Sequence, residues 1–252
     1  MRVNFGGIVH ISTVDWYGKV AMVIFFRGCP FRCPYCQNYA LLTGKNFVDA
    51  KKIEAEIKKA RKFVSAVVFS GGEPLAQLEQ MRHLAKFAKD LGLLVGVETN
   101  GYYPMQLKEL IDARLIDKVF LDVKAPLSPE KYEKVAGISD GSVVALVRRS
   151  LEVCKNFDLE VRTTIFKGLI FDENDIRAIA EEMSSYGDIP YARQRLSFAY
   201  VLQQGRPEQG WSEELKKYGP PSREELLDLG KIAKEYLKNV KIRTKEFGEE
   251  SI

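Results

Sequence analysis

The chain has 252 residues, a length that suits one barrel-sized α/β domain or two small ones. With 38 Lys and Arg against 34 Asp and Glu, its formal charge of +4 is too small to mark a polyanion binder. A composition of 46% hydrophobic and 29% charged residues excludes a disordered or collagen-like chain.

Residues 1–19 are read as a lead-in. The opening Met1–Gly7 lacks the apolar core of a signal peptide, and the longest apolar run, Val20–Phe26, is far short of the ~20 residues that span a bilayer. A cytoplasmic location with no membrane partner is therefore expected. From Val20 onward, strand and helix patterns alternate. Strands are predicted at Val20–Phe26, Val64–Ser70, Leu93–Glu98, Lys118–Val123, Leu159–Ile165 and Leu196–Leu202. Helices are predicted at Ala50–Lys62, Gln77–Leu91, Met105–Ala113, Ser142–Asn156, Glu173–Ser185 and Ser222–Leu237. The strands are near-continuous Val, Ile, Leu and Phe, as parallel strands covered on both faces require. Six such units predict one wound α/β layer with its core in residues 20–202, either an open sheet or a partial barrel. In both arrangements the loops after the C-terminal strand ends carry the chemistry. Residues 203–221, rich in Gly, Pro and charge, are long for a loop within a compact domain. They are read as a lid or partner loop, or else as a solvated excursion with one short helix. Residues 222–252 are read as a closing helix and tail.

Three of the 4 cysteines, Cys29, Cys33 and Cys36, fall within eight residues just after the first strand. In a cytosolic chain, clustered thiols point to metal or redox chemistry rather than to disulfides. The Cys-x3-Cys-x2-Cys spacing lets one short loop, shaped by Gly28, Pro30 and Pro34, wrap three thiolates around one centre. Tetrahedral zinc needs a fourth ligand. His83 lies opposite the Met81/Leu84/Ala85/Ala88 stripe of its helix, and Cys154 shares an apolar face with Leu151 and Val147. His10, in the lead-in, remains a candidate ligand. A three-cysteine [4Fe–4S] cluster fits better, because it leaves one iron open to a small molecule.

Other polar groups stand at successive strand ends. Ser70-Gly71-Gly72-Glu73-Pro74 follows the second strand, where two glycines let backbone approach a ligand and Glu73 suits an ammonium group. Glu98-Thr99-Asn100-Gly101 follows the third strand and Asp122-Val123-Lys124 the fourth. Asp122 and Lys124 share one strand face, as a mutual ion pair or as the binding site of a zwitterion. Arg162 places another charge on the fifth strand, where it stitches strands together or meets a ligand. The basic run Lys58–Lys62 lies on a helix whose other face, Ile53/Ile57/Ala60/Val64, is core-like, so nucleic acid is not an expected partner.

The cysteine loop, with Tyr35 before its last cysteine and these motifs in order behind it, resembles the radical S-adenosylmethionine (SAM) enzymes. The resemblance implies a partial (β/α)6 TIM-like barrel forming a single domain over residues 1–252. It also implies a [4Fe–4S] cluster held by Cys29, Cys33 and Cys36, with SAM chelating the fourth iron. Tyr35, Gly71, Gly72, Glu73, Pro74, Glu98, Thr99, Asn100, Asp122, Lys124 and Arg162 would be cofactor contacts, with a monovalent cation near Glu98 and Asp122. Within the superfamily, Ile11–Ala21, Arg162-Thr163-Thr164, Leu202-Gln203 and Ile242-Arg243-Thr244 resemble the glycyl-radical enzyme activating enzymes, closest to the activators of anaerobic ribonucleoside-triphosphate reductase. That likeness implies a glycyl-radical enzyme as protein substrate and a flavodoxin- or ferredoxin-type electron donor. The chain departs from some such activases in carrying Gln37-Asn38 after Cys36 and no histidine after His83. With one cysteine beyond the motif, auxiliary four-cysteine clusters are excluded. The competing readings are a small-molecule radical SAM enzyme of the 7-carboxy-7-deazaguanine synthase kind and a non-catalytic zinc- or cluster-binding protein.

Overall fold

The computed structural model describes residues 1–187 and 197–252. The chain divides into two compact units, the first comprising Met1–Pro30, Ala40–Thr99 and Tyr103–Phe120, the second Phe31–Tyr39, Asn100–Tyr102 and Leu121–Ile252.

The first unit holds β1 (Arg2–Ser12), β2 (Ala21–Phe26), β3 (Phe47–Asp49), α1 (Ala50–Ala60), β4 (Ala66–Gly71), α2 (Leu78–Asp90), β5 (Leu94–Thr99) and α3 (Pro104–Asp112). It also takes the first three residues of β6 (Lys118–Asp122). β1 pairs antiparallel with β2 and β3, whereas β2, β4 and β5 run parallel. Ala66–Phe69 are buried at every position, so β4 is a strand covered on both faces and explains the unbroken apolar run in the sequence. Trp16 meets Phe120 edge-on, ring centroids 5.6 Å apart, in a core with Ala21, Val23, Ala66 and Val68. A Cβ on Gly96 would come 2.9 Å from the Phe120 ring and 3.1 Å from Trp16, so the close aromatic approach requires glycine there. α1 starts where Asp49 accepts the Lys51 N–H (3.0 Å) and buries Ile53, Ile57 and Ala60 beneath an exposed lysine face. α2 buries the predicted Met81/Leu84/Ala85/Ala88 stripe.

The second unit holds the end of β6, then α4 (Pro129–Ala136), α5 (Val143–Val153), β7 (Leu159–Ile165), α6 (Glu173–Gly187), β8 (Phe198–Gln204), α7 (Glu213–Lys216), α8 (Arg223–Lys234), β9 (Val240–Thr244) and β10 (Gly248–Ser251). β7, β8 and β9 run parallel, and β10 returns antiparallel to β9. α8 opens with a capping box between Ser222 and Glu225 and buries Leu226, Leu229 and Ala233.

The fold is α/β with mostly parallel strands, as predicted, and each of the six predicted strands has a counterpart. Leu196, the predicted start of the sixth, lies outside the described residues. Other expectations need correction. The lead-in is largely the strand β1, whose apolar residues are interrupted by Asn4, Gly6, Gly7 and His10. The closing tail contains β9 and β10; β9 alternates buried and half-buried residues, the pattern of a strand covered less fully than β4. α4 was not predicted, although Ser128 before it, Pro129 at its first position and Gly137 after it mark its ends. Among the described residues no helix is long and apolar enough to cross a membrane.

Candidate active site

The later part of the cysteine loop, Phe31–Tyr39, belongs to the second unit and is held at several backbone points. The Ala136 carbonyl at the end of α4 accepts the Arg32 N–H (2.8 Å) and the Cys33 thiol (3.6 Å). α4 then ends on Gly137 in the left-handed conformation (φ 62°), where a Cβ would come 2.3 Å from the Arg32 carbonyl oxygen. The Cys36 N–H donates to the Cys33 carbonyl at 3.1 Å, closing the turn between two of the thiols. Tyr35 is buried with its ring stacked on Phe166, centroids 4.6 Å apart.

Burial pushes the Cys33 thiol up to about 11, partly offset by the nearby Lys124 ammonium. Burial also raises Cys36, against an Asn38 backbone N–H that favours the thiolate. Both thiols therefore stay protonated at neutral pH unless a positive centre draws off their protons. Such a donor set suits a metal cluster that binds thiolates.

In the first unit, Gly28 has φ 96° and its carbonyl accepts the Glu73 N–H at 2.8 Å. A Cβ on Gly72 would sit 2.2 Å from that carbonyl oxygen and 3.3 Å from Cys29 Cβ, and one on Gly71 (φ 123°) would strike the Phe26 backbone at 2.3 Å. The two glycines thus let the turn after β4 lie against the backbone that carries Cys29. Glu73 is fully buried, and its Oε1 accepts the Thr99 hydroxyl (2.9 Å) and the Leu75 N–H (3.1 Å). The motif after β4 is thereby tied to the end of β5 and caps the 3-10 turn Pro74–Gln77. Glu98, the residue before Thr99 on β5, is half-buried. Tyr103, which the sequence did not single out, has its phenol raised by burial and by the nearby Glu73 and Cys29.

The remaining predicted residues lie in the second unit. Asn100 is buried and accepts the Tyr102 N–H at 3.0 Å. Lys124 Nζ donates to Asp122 Oδ2 at 2.7 Å and lies 6.0 Å from the centroid of the Tyr35 ring. Burial opposes the Lys124 charge, but Asp122, Tyr35 and Cys33 outweigh it and hold its pKa well above the ordinary lysine value. The Lys124 N–H also donates to the buried Tyr132 hydroxyl (3.3 Å). Arg162 donates from Nε to Glu160 Oε1 at 2.7 Å, and Glu160 Oε1 also accepts from Arg243 at 3.0 Å. Those are the bonds of a residue that stitches strands together.

The other candidate ligands lie elsewhere. His10 pairs with Glu56 and His83 with Glu54, both exposed, and Cys154 is buried in α5's apolar surroundings. Among the described residues no three His, Cys, Asp or Glu side chains are placed to hold a single metal ion. Cys29, Cys33 and Cys36 are in no disulfide, and three cysteine thiols are the number that a cluster with one open iron requires.

Comparison with known proteins agrees with this chemistry. The model of the radical SAM superfamily matches residues 23–183. A Methanocaldococcus jannaschii relative, provisionally named a glycyl-radical enzyme activating enzyme, is 37% identical over 97% of both chains. The pyruvate formate-lyase 1-activating enzyme of Escherichia coli K12 is 27% identical over 71% of this chain and 74% of its own. The 7-carboxy-7-deazaguanine synthase of M. jannaschii is 26% identical over 69% and 74%. Among solved structures, TYW1 with a lysine–pyruvate adduct bound superposes with a TM-score of 0.65 at 17% identity, covering 93% of this chain and 80% of that one. The fold is thus the one predicted, of the partial TIM-barrel type found in radical SAM chains. The chain belongs to the radical SAM superfamily and is a homologue of its glycyl-radical enzyme activating enzymes.

Proposed function

We propose that this enzyme cleaves SAM reductively and installs a glycyl radical on a partner enzyme of the anaerobic ribonucleotide reductase type. The carrying observation is the 37% identity to the M. jannaschii relative, which runs through 97% of both chains. The family implies a [4Fe–4S] cluster and SAM. The chemistry supplied by that pair, once reduced, is one-electron scission of the sulfonium bond and abstraction of hydrogen from carbon.

The chain's own part is to hold and orient. Cys29, Cys33 and Cys36 would ligate three irons, and burial of Cys33 and Tyr35 keeps water from that side. The turn Gly71–Pro74 would face the methionine ammonium with backbone carbonyls, since Glu73 Oε1 is already engaged by Thr99 and Leu75. Asp122 and Lys124, an acid and a base side by side, match the opposite charges of an amino acid, and Glu98 and Asn100 would complete the ribose contacts. Arg162 would act through the sheet rather than on SAM. A flavodoxin- or ferredoxin-type protein would deliver the electron.

The test is anaerobic reconstitution followed by incubation with SAM, a strong reductant and the large subunit of an anaerobic ribonucleotide reductase. A glycyl-radical doublet in the paramagnetic resonance spectrum, absent in Cys36→Ala, is expected. The 7-carboxy-7-deazaguanine synthase relative favours the second reading, a small-molecule radical SAM enzyme. Conversion of a pterin substrate to a deazapurine, with no radical on any glycyl-radical enzyme, would establish it instead.

A further inference from the structure

The segment after β8, expected as a lid or partner loop, is bonded to the cysteine loop within the second unit. Its 3-10 turn Pro207–Gln209 ends at Gly210, where a Cβ would come 3.1 Å from Tyr35 Cα, so the two backbones lie nearly in contact. The Ser212 N–H donates to the Pro34 carbonyl (3.1 Å) and the Trp211 indole N–H to the Cys33 carbonyl (2.8 Å). That same Cys33 oxygen accepts the Cys36 N–H at 3.1 Å. A carbonyl oxygen has two lone pairs, so here one closes the Cys33–Cys36 turn and the other fixes the plane of the peptide that makes it. The peptide joins Cys33 to Pro34 and carries no N–H that could anchor it instead.

Trp211 is 46% exposed as a residue, so burial of its surface gives a weak account of why it sits there. Its directed bond is to the backbone of a proposed cluster ligand. We propose that Trp211 is a positioning residue that locks the Cys33–Cys36 turn and so sets the spacing of two cluster thiolates. The proposal rests on the cysteine loop being the cluster site, and not on which partner the enzyme serves.

Trp211→Phe keeps a ring and removes the N–H, whereas Trp211→Ala removes both. Losing one net hydrogen bond shifts an opening equilibrium by about fivefold. In apo-protein, the Cys36 amide of Trp211→Phe should exchange its hydrogen about fivefold faster than in wild type, while the thermal midpoint falls by no more than about 4 °C. In reconstituted protein, release of iron to a chelator should quicken by a similar factor, and the resonance g-values of the reduced cluster should change. Trp211→Ala should add little to either effect. Wild-type exchange, iron release and spectrum in Trp211→Phe would overturn the proposal, as would effects confined to Trp211→Ala, which would mark the ring as packing. A wild-type protein that holds its cluster but activates no glycyl-radical enzyme would defeat the proposed function and leave this inference standing.

Discussion

Two strands of the second unit carry the same short pattern, an acid and a base two residues apart on one face. On β7, Glu160 and Arg162 are 2.7 Å apart with side chains only 4% and 6% exposed. Glu160 also accepts from Arg243, which bonds Glu249, which in turn pairs with Lys241 at 2.7 Å. At the end of β6, Asp122 and Lys124 are likewise 2.7 Å apart, but the Asp122 side chain is 37% exposed and Lys124 14%. The first pair is part of a closed network that joins β7, β9 and β10. The second has a carboxylate with an open side, next to the aromatic ring of the cysteine loop. Equal spacing in sequence thus gives equal pairing, and the surroundings decide whether the charges serve the fold or can face a ligand.

The largest effect should come from breaking the closed network. Glu160→Gln leaves Arg162 and Arg243 without their shared carboxylate in a buried setting, which typically costs about 3–5 kcal/mol. For a chain of this size the thermal midpoint of the apo-protein should fall by about 10 °C, while protein still folded at low temperature binds SAM normally. An unchanged midpoint with lost SAM affinity would place Glu160 and Arg162 at the cofactor after all.

The open pair should respond in the reverse way. Replacing both Asp122→Asn and Lys124→Met removes two charges at nearly constant size, and exchanging a whole buried pair for neutral groups is often neutral for stability. The apo midpoint should move by less than about 3 °C, while SAM affinity, measured by equilibrium dialysis on reconstituted protein, should fall at least about tenfold. A midpoint loss comparable to that of Glu160→Gln, with SAM binding intact, would make the two pairs equivalent and remove Asp122 and Lys124 from the site.

The difference between these pairs was not legible in the sequence, and the reason is physical. Strand periodicity places Asp122 with Lys124 and Arg162 with Glu160, since side chains alternate across a strand. What distinguishes them is Arg243 and Glu249, 83 and 89 positions beyond Glu160, brought close by β9 and β10. Those strands escaped notice because they are short, 5 residues in β9 and 4 in β10, and a pattern over so few positions is a weak signal. The central strands were readable because burial on both faces leaves an unbroken apolar run, as in Ala66–Phe69. The cysteine loop was readable because its three thiols are local. Trp211 lies in the long segment 203–221, but its bond to Cys33 spans 178 positions, and no local pattern encodes that. The ends of α4 had local signals in Ser128-Pro129 and Gly137, and a closer reading of caps would have found that helix.

The smallest predicted effect concerns a buried group that lies in neither pair, and it calibrates what burial does without a neighbouring charge. Cys154, at the end of α5, has its thiol pushed up from 9.0 to about 12 by burial alone. In the unfolded chain the thiol ionises near 9.0, whereas the folded chain holds its proton until about 12. A raised folded pKa gives stability that is complete below the unfolded value and is lost as pH climbs toward the folded one. Below pH 9, therefore, Cys154→Ala should show only its packing loss, about 1 kcal/mol. Above pH 9 the wild-type apo-protein should lose about 1.4 kcal/mol per pH unit through this thiol, and the variant should not. The gap between the two midpoints at pH 7.5 should therefore close near pH 10. A gap that stays constant across that range would mean that the thiol ionises as readily in the folded chain as in the unfolded one, and that burial without a partner charge perturbs groups in this unit less than the Glu160 prediction requires.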